Sequence, residues 1–254
     1  MHERRRFLTA WAGVGAAMVL PGCATGRRLD PGEHVGLFSA VVSKRVSMRY
    51  LLWAPTGDGM AEPRPAAGWP LLIFLHGSGE RGNDLAKVKV HGPPKHAVAG
   101  HRYPFILAAP QAAEGMAWDS DALDALRADL VARLPIDPDR VLLTGMSMGG
   151  YGTWNYAVDY PGTLAAIAPV CGVGDSDRAE RIAHLPVWAF HGALDTAVPL
   201  AGDQEMVNAV RAAGGNVRFT VYPGVGHNAW DPAYADPALY AWLLAQRRQP
   251  GRGR

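Results

Sequence analysis

The run Leu71-Leu72-Ile73-Phe74-Leu75 carries no polar residue at either odd or even positions. A strand sends alternate side chains to opposite faces, so this run needs both faces buried, as in a parallel sheet covered by helices. Similar short apolar runs return at 105–109, 141–144, 165–170, 187–190 and 218–222. Two earlier segments, 35–42 and 46–54, flank a short polar turn and are rich in β-branched and aromatic residues, which predicts an opening hairpin. Between the runs lie helical patterns. Leu123, Leu126, Leu130, Val131 and Leu134 share one helical face, with Ser120 or Asp121 as the expected cap and Pro135 as the stop. Residues 148–160 read as a second helix, and 202–213 as a third, with Met206, Val207 and Val210 on one face. The order predicts an α/β fold: a mostly parallel sheet of about eight strands with helices on both faces.

The 254 residues are 48% hydrophobic and 19% charged, enough for one sizeable core and unlike a disordered chain. Residues 1–22 hold three Arg and one Glu; without them 22 basic residues face 22 acidic ones, which gives no electrostatic footprint for nucleic acid. Two cysteines, Cys23 and Cys171, cannot build a disulfide framework, and their spacing matches no metal site. Cys171 is expected to be a small buried hydrophobe near a strand end.

The N-terminus reads as an address. Arg4-Arg5-Arg6 precedes an uncharged stretch from Phe7 to Leu20, the basic and apolar parts of an export signal, and Arg-Arg-Arg-Phe-Leu resembles the twin-arginine pattern. Leu20-Pro21-Gly22-Cys23 resembles a bacterial lipobox, which makes Cys23 a lipidation candidate; a plain cleaved leader with an incidental cysteine is the alternative. The expected organisation is an export signal over 1–22, a tether over 23–34, one domain over 35–246 and a polar, frayed tail over 247–254. The protein is then expected on the periplasmic side, anchored by lipid, or otherwise periplasmic or secreted.

Chemistry concentrates at Gly145-Met146-Ser147-Met148-Gly149, between a buried-strand run and a helix. That context turns a weak GxSxG string into a candidate nucleophile elbow, although a glycine-rich turn whose serine caps the next helix would give the same letters. Serine needs a base and the base an orienting acid, following in the order Ser, Asp, His. Asp195 follows the 187–190 run, and His227 lies in the glycine-flanked loop after 218–222. His76 and His191 each end a strand and precede glycine, so both are expected to be structural. Two backbone N–H groups should receive the oxyanion: that of Met148 and one from His76-Gly77-Ser78-Gly79, with Ser78 first and Gly77 next.

The blocks Leu75-His76-Gly77-Ser78-Gly79-Glu80-Arg81-Gly82, Ala109-Pro110-Gln111, Gly145 to Gly150, Asp195 in its His-Gly context, and Gly226-His227-Asn228-Ala229-Trp230 resemble α/β-hydrolases. The likeness is to relatives of polyhydroxybutyrate depolymerases, feruloyl esterases and phospholipase/carboxylesterases, over roughly 35–246. It implies a serine esterase with Ser147, Asp195 and His227 as its triad and no cofactor or metal. Only residues 172–185 separate Cys171 from the next strand, too few for a large cap domain, so the site is expected to be open and suited to polymer-linked or aryl esters. Trp118, Gln111, Glu80 and Trp230 are the expected pocket residues. A serine peptidase with the same triad and a non-catalytic carbohydrate-binding or scaffold protein are the alternatives.

Overall fold

The computed structural model describes residues 31–41, 45–55 and 65–248. The expected export signal, Cys23 and most of the tether lie outside the described residues. Eight strands form one sheet: β1 (Gly32–Val41), β2 (Arg45–Ala54), β3 (Trp69–Leu75), β4 (Ile106–Pro110), β5 (Ile136–Met146), β6 (Ala166–Val170), β7 (Val187–Gly192) and β8 (Val217–Tyr222). Their spatial order is β1-β2-β4-β3-β5-β6-β7-β8. The hairpin β1–β2 is antiparallel and joins β4 antiparallel, while every other pair is parallel. Six helices complete the layers: α1 (Gly92–Val98), α2 (Ser120–Arg133), α3 (Met148–Asp159), α4 (Leu200–Ala212), α5 (Trp230–Ala235) and α6 (Pro237–Leu244).

The unbroken apolar runs are explained by two cores. Leu71, Ile73 and Leu75 enter the core beneath α2, α3 and α4, whereas Leu72 and Phe74 enter the one beneath α5 and α6. Each strand thus feeds alternate side chains to opposite layers, and no polar face is left to mark it. The connection from β6 to β7 contains a 3-10 segment, Ser176–Ile182, which packs against α4 and α3.

Two expectations are corrected. The cap of α2 is Asp119, whose side chain accepts from the Ala122 N–H; Ser120 and Asp121 already lie inside the helix. The expected tail is tied down at its start. Arg247 reaches Asp137 at 2.6 Å, and Arg248 reaches the Asp139 carboxylate at 2.6 Å while its N–H bonds the Asp139 carbonyl. Both acids lie on β5, in the part of the strand before the apolar run that marks it in sequence.

The cap makes a direct prediction. Asp119→Ala lowers unfolding free energy by about 1 kcal/mol in urea denaturation, the usual effect of losing an N-cap, and Ser120→Ala changes it by a few tenths. Equal effects would return the cap to Ser120.

Candidate active site

Ser147 sits between the end of β5 and the start of α3 with φ +54°, a left-handed conformation that side chains rarely adopt. The turn is held by the Ser147 N–H donating to the Val170 carbonyl at 2.9 Å. Gly149 allows the helix to close on the sheet, since a Cβ there would lie 2.0 Å from the Leu75 carbonyl oxygen. The strain thus belongs to the elbow that lifts the hydroxyl clear of the sheet.

Asp195 follows β7 and His227 follows β8, on adjacent strands whose loops touch. A Cβ at Gly192 would come within 2.1 Å of the Gly226 carbonyl oxygen, so only glycine permits this approach. Three side chains far apart in sequence are thereby joined. Ser147 Oγ lies 2.8 Å from His227 Nε2, and His227 Nδ1 lies 2.7 Å from Asp195 Oδ2. With Nδ1–H donating to the carboxylate, Nε2 is left to accept from the serine hydroxyl. The Ala197 and Val198 N–H groups donate to Asp195 Oδ1, both at 2.9 Å. Burial opposes charge on Asp195, but the His227 bond, the Val198 N–H, the His227 charge and the Ala197 N–H outweigh it and hold the pKa below its usual value.

Gly77 stands beside Ser147: a point at its Cβ position is 3.7 Å from Ser147 Cβ. Gly77 is buried and Ser78 exposed. Their turn is laced to the segment after β4. The Ala112 N–H donates to His76 Nε2 at 3.0 Å, which leaves Nδ1–H to donate to the Gly77 carbonyl at 2.6 Å. Trp118 Nε1 donates to the His76 carbonyl, and Gln111 Nε2 to the carbonyls of Glu80 and Asp84. Met148 opens α3, where first-turn N–H groups have no acceptor within their own helix.

The expected pocket residues therefore separate. Trp118 lines a cleft of about 390 Å³ beside Ser147, with Met148, Tyr151, Gly152 and Asn155. Trp230 lies on the other side, its ring 5.2 Å from that of His227. Gln111 is buried and braces the loop, and Glu80 is buried near Gly77 with one oxygen 3.8 Å from His91 Nε2; neither lines this cleft. Tyr151 and Asn155 are unanticipated, though Ser147, Tyr151 and Asn155 repeat every four residues and so share one face of α3.

The pattern of the dienelactone hydrolase family matches residues 108–236, half of the chain and the stretch that carries Ser147, Asp195 and His227. The chain belongs to the dienelactone hydrolase family. It is similar to a provisionally named carboxymethylenebutenolidase of Methylorubrum extorquens, 36% identical over 43% of this chain and 42% of the relative. It is also similar to a poly(3-hydroxyoctanoate) depolymerase of Pseudomonas fluorescens, 28% identical over 53% of this chain and 59% of that protein. The chain thus spans about half the length of these relatives. Among solved structures, a thermostable esterase superposes with a TM-score of 0.70 at 30% identity, covering 84% of this chain and 63% of that one. A ferulic acid esterase superposes with a TM-score of 0.56 at 18% identity, covering 84% and 98%, a likeness of fold.

In this family member, Cys171, Asp195 and His227 are the set among the described residues that brings three metal-ligating atoms together, within 4.8 Å of one another. The donors suit a metal poorly. Asp195 and His227 bond each other, and burial pushes the Cys171 thiol far up, keeping it protonated, whereas a ligand must be thiolate.

His76 yields a pH prediction. Burial above all lowers its pKa to about 4; the Gly77 bond opposes this and the nearby Arg81 charge adds to it. The unfolded chain takes up a proton below about 6.5 that the folded protein refuses until about 4, so stability falls as pH drops through that window. Urea midpoints at pH 7.5 and 5 will show a steeper loss in wild type than in His76→Gln; equal losses contradict the buried neutral histidine.

Proposed function

We propose that this protein hydrolyses carboxylic esters through an acyl-enzyme. The observation that carries the reading is the unbroken contact from Ser147 Oγ through His227 to Asp195, at 2.8 and 2.7 Å. Ser147 attacks the ester carbonyl while His227 Nε2 takes its proton, and Asp195 orients the imidazole and stabilises the imidazolium. The developing oxyanion takes hydrogen bonds from the Met148 N–H and from the Gly77–Ser78 turn, a reading supported by the Cβ position of Gly77 lying 3.7 Å from Ser147 Cβ. Collapse of the tetrahedral species breaks the bond to the alcohol, which leaves with the proton from His227. Water, deprotonated by the same histidine, then releases the acid and restores Ser147.

The walls of the cleft support a reading of the substrate class. The cleft beside Ser147 is bounded by Trp118, Met148 and Tyr151, and the connection from β6 to β7 carries a 3-10 segment in place of a cap domain. Such a site accepts an ester carried on a polymer or a bulky aryl acid more readily than a long acyl chain that needs a closed tunnel. The names of the depolymerase and esterase relatives are in keeping with this reading. We further propose that the protein works outside the cytoplasm, a reading supported by Arg4-Arg5-Arg6, the apolar stretch after it and the lipobox-like end at Cys23. Among the described residues no helix is long and apolar enough to cross a membrane.

A fluorophosphonate probe tests the enzyme. Labelling of wild type that vanishes in Ser147→Ala is expected, with Asp195→Asn lowering kcat on an aryl ester about 10⁴-fold at similar KM. Folded wild-type protein that takes no label contradicts catalysis. Matched aryl esters and amides are then compared: faster ester turnover is expected, and faster amide turnover makes the protein a peptidase.

A further inference from the structure

Behind Asp195 lies a second histidine and a second acid, both completely buried. His191, on β7, has Nδ1 2.9 Å from Asp203 Oδ2 and Nε2 2.9 Å from the Val198 carbonyl oxygen. Its Nε2 also lies 3.4 Å from Asp195 Oδ2, the oxygen that receives the His227 Nδ1–H. Asp203, on α4, accepts from Trp154 Nε1 at 3.1 Å through its other oxygen. The polar contacts therefore run without a break from Ser147 through His227, Asp195 and His191 to Asp203 and Trp154. The last of these sits on α3, the helix that opens at the nucleophile.

We infer that His191 and Asp203 form a buried ion pair that positions Asp195 and sets the pH range over which His227 serves as base. The assignment, which rests on the ester-hydrolase reading only for its kinetic consequence, follows from hydrogen-bond chemistry. A carbonyl oxygen only accepts, so His191 Nε2 carries a hydrogen. One further proton lies between Nδ1 and Asp203 Oδ2. It belongs on nitrogen, because that ring faces the Asp203 and Asp195 carboxylates and the Val198 carbonyl. Burial works against the imidazolium, yet the Asp203 hydrogen bond, the Val198 carbonyl and the charges of Asp203 and Asp195 together raise the His191 pKa above its ordinary value. Burial pulls Asp203 the other way, toward its neutral acid. Two carboxylates around one imidazole decide the matter for nitrogen.

The remaining groups near this chain are neutral or distant. Cys171 at the end of β6 stays a thiol and Tyr151 on α3 a phenol, the pKa of each raised by burial first and by the charges of Asp195 and Asp203 after it. On the far side of His227, the Trp230 ring separates it from His91, beside which lies Glu80. Among the described residues the His191 cation thus lies against Asp195, at 3.4 Å from Oδ2. It helps hold the carboxylate ionised in a place where burial favours its neutral form, and it weakens the pull that the carboxylate exerts on a proton at His227. Removing the cation leaves that pull undiluted, so the imidazolium at 227 becomes easier to form and the base is lost to protonation at a higher pH.

Two measurements test this. Asp203→Asn keeps the shape and the Trp154 bond while its amide donates to Nδ1, leaving His191 neutral; His191→Gln keeps a donor to Val198 without the charge. Both are expected to move the acid limb of the kcat/KM profile on an aryl ester upward by about half a pH unit or more, with KM changed by less than about twofold. If the pair only props up the fold, melting temperature falls and the limb stays where it is. Nitrogen-detected NMR of the wild type without substrate reads the protonation directly. Both ring nitrogens of His191 are expected to carry hydrogen at pH 8, and in Asp203→Asn only Nε2. A single ring hydrogen in the wild type overturns the proposal, and so does an unmoved limb in a folded Asp203→Asn. The spectrum needs no turnover, so an absence of ester hydrolysis sinks the reading of function and leaves the ion pair to be judged alone.

Discussion

The approach of α3 to the ends of β3 and β5 governs the site. A helix that begins directly at a strand end must turn within one or two residues, and that turn forces Ser147 to φ +54°. Ordinary packing distances do not allow it: any side chain at 149 would overlap the Leu75 backbone. Once the helix is seated, Ser147 stands at the end of β5 and Met148 opens α3 directly beside it. The Gly77 turn then lies alongside because β3 neighbours β5. The fold thus couples a local backbone strain to a half-buried hydroxyl held beside the imidazole of His227.

A second constraint concerns rigidity. Ser147, Asp195 and His227 all lie on turns or loops, and loops are the mobile parts of most proteins. In this molecule they are bound to one another by side-chain hydrogen bonds and close backbone contacts. His76, Gln111 and Trp118 lace the turn after β3 to the segment after β4. Gly192 lets the Asp195 and His227 loops touch, and His191 with Asp203 fastens the first of these to α3 through Trp154. Positional precision of this kind matters because a catalytic contact is only as good as the least restrained of its atoms.

Much of this was legible in the chain. The apolar runs identify the strands because burial on both faces removes the polar alternation that would otherwise blur them. Ser147, Asp195 and His227 could be picked out because each sits just after such a run, where open sheets gather their functional groups. What the sequence conceals is what depends on partners distant along the chain. Gln111 looks like a pocket residue until its amide is seen to bond Glu80 and Asp84, and nothing near Arg247 announces Asp137. His191 reads as packing because its partner Asp203 lies on a helix of otherwise ordinary amphipathic pattern. Tyr151 and Asn155 were within reach through their spacing of four from Ser147. The cap of α2 was misplaced by one or two positions, since Asp119, Ser120 and Asp121 are all residues that favour caps and only geometry separates them.

The central claim is that the hydroxyl at 147, the base at 227 and the donors around Met148 and Gly77 form one reaction centre. A crystal structure of the protein inactivated by a phosphonate ester examines all three together, since the adduct copies the tetrahedral intermediate. Phosphorus is expected bonded to Ser147 Oγ, with one phosphonyl oxygen within hydrogen-bond reach of the Met148 N–H and of an N–H from the Gly77–Ser78 turn, and with His227 Nε2 still beside Oγ. Phosphorus on another side chain, or its oxygen turned out to solvent away from both donors, would contradict it.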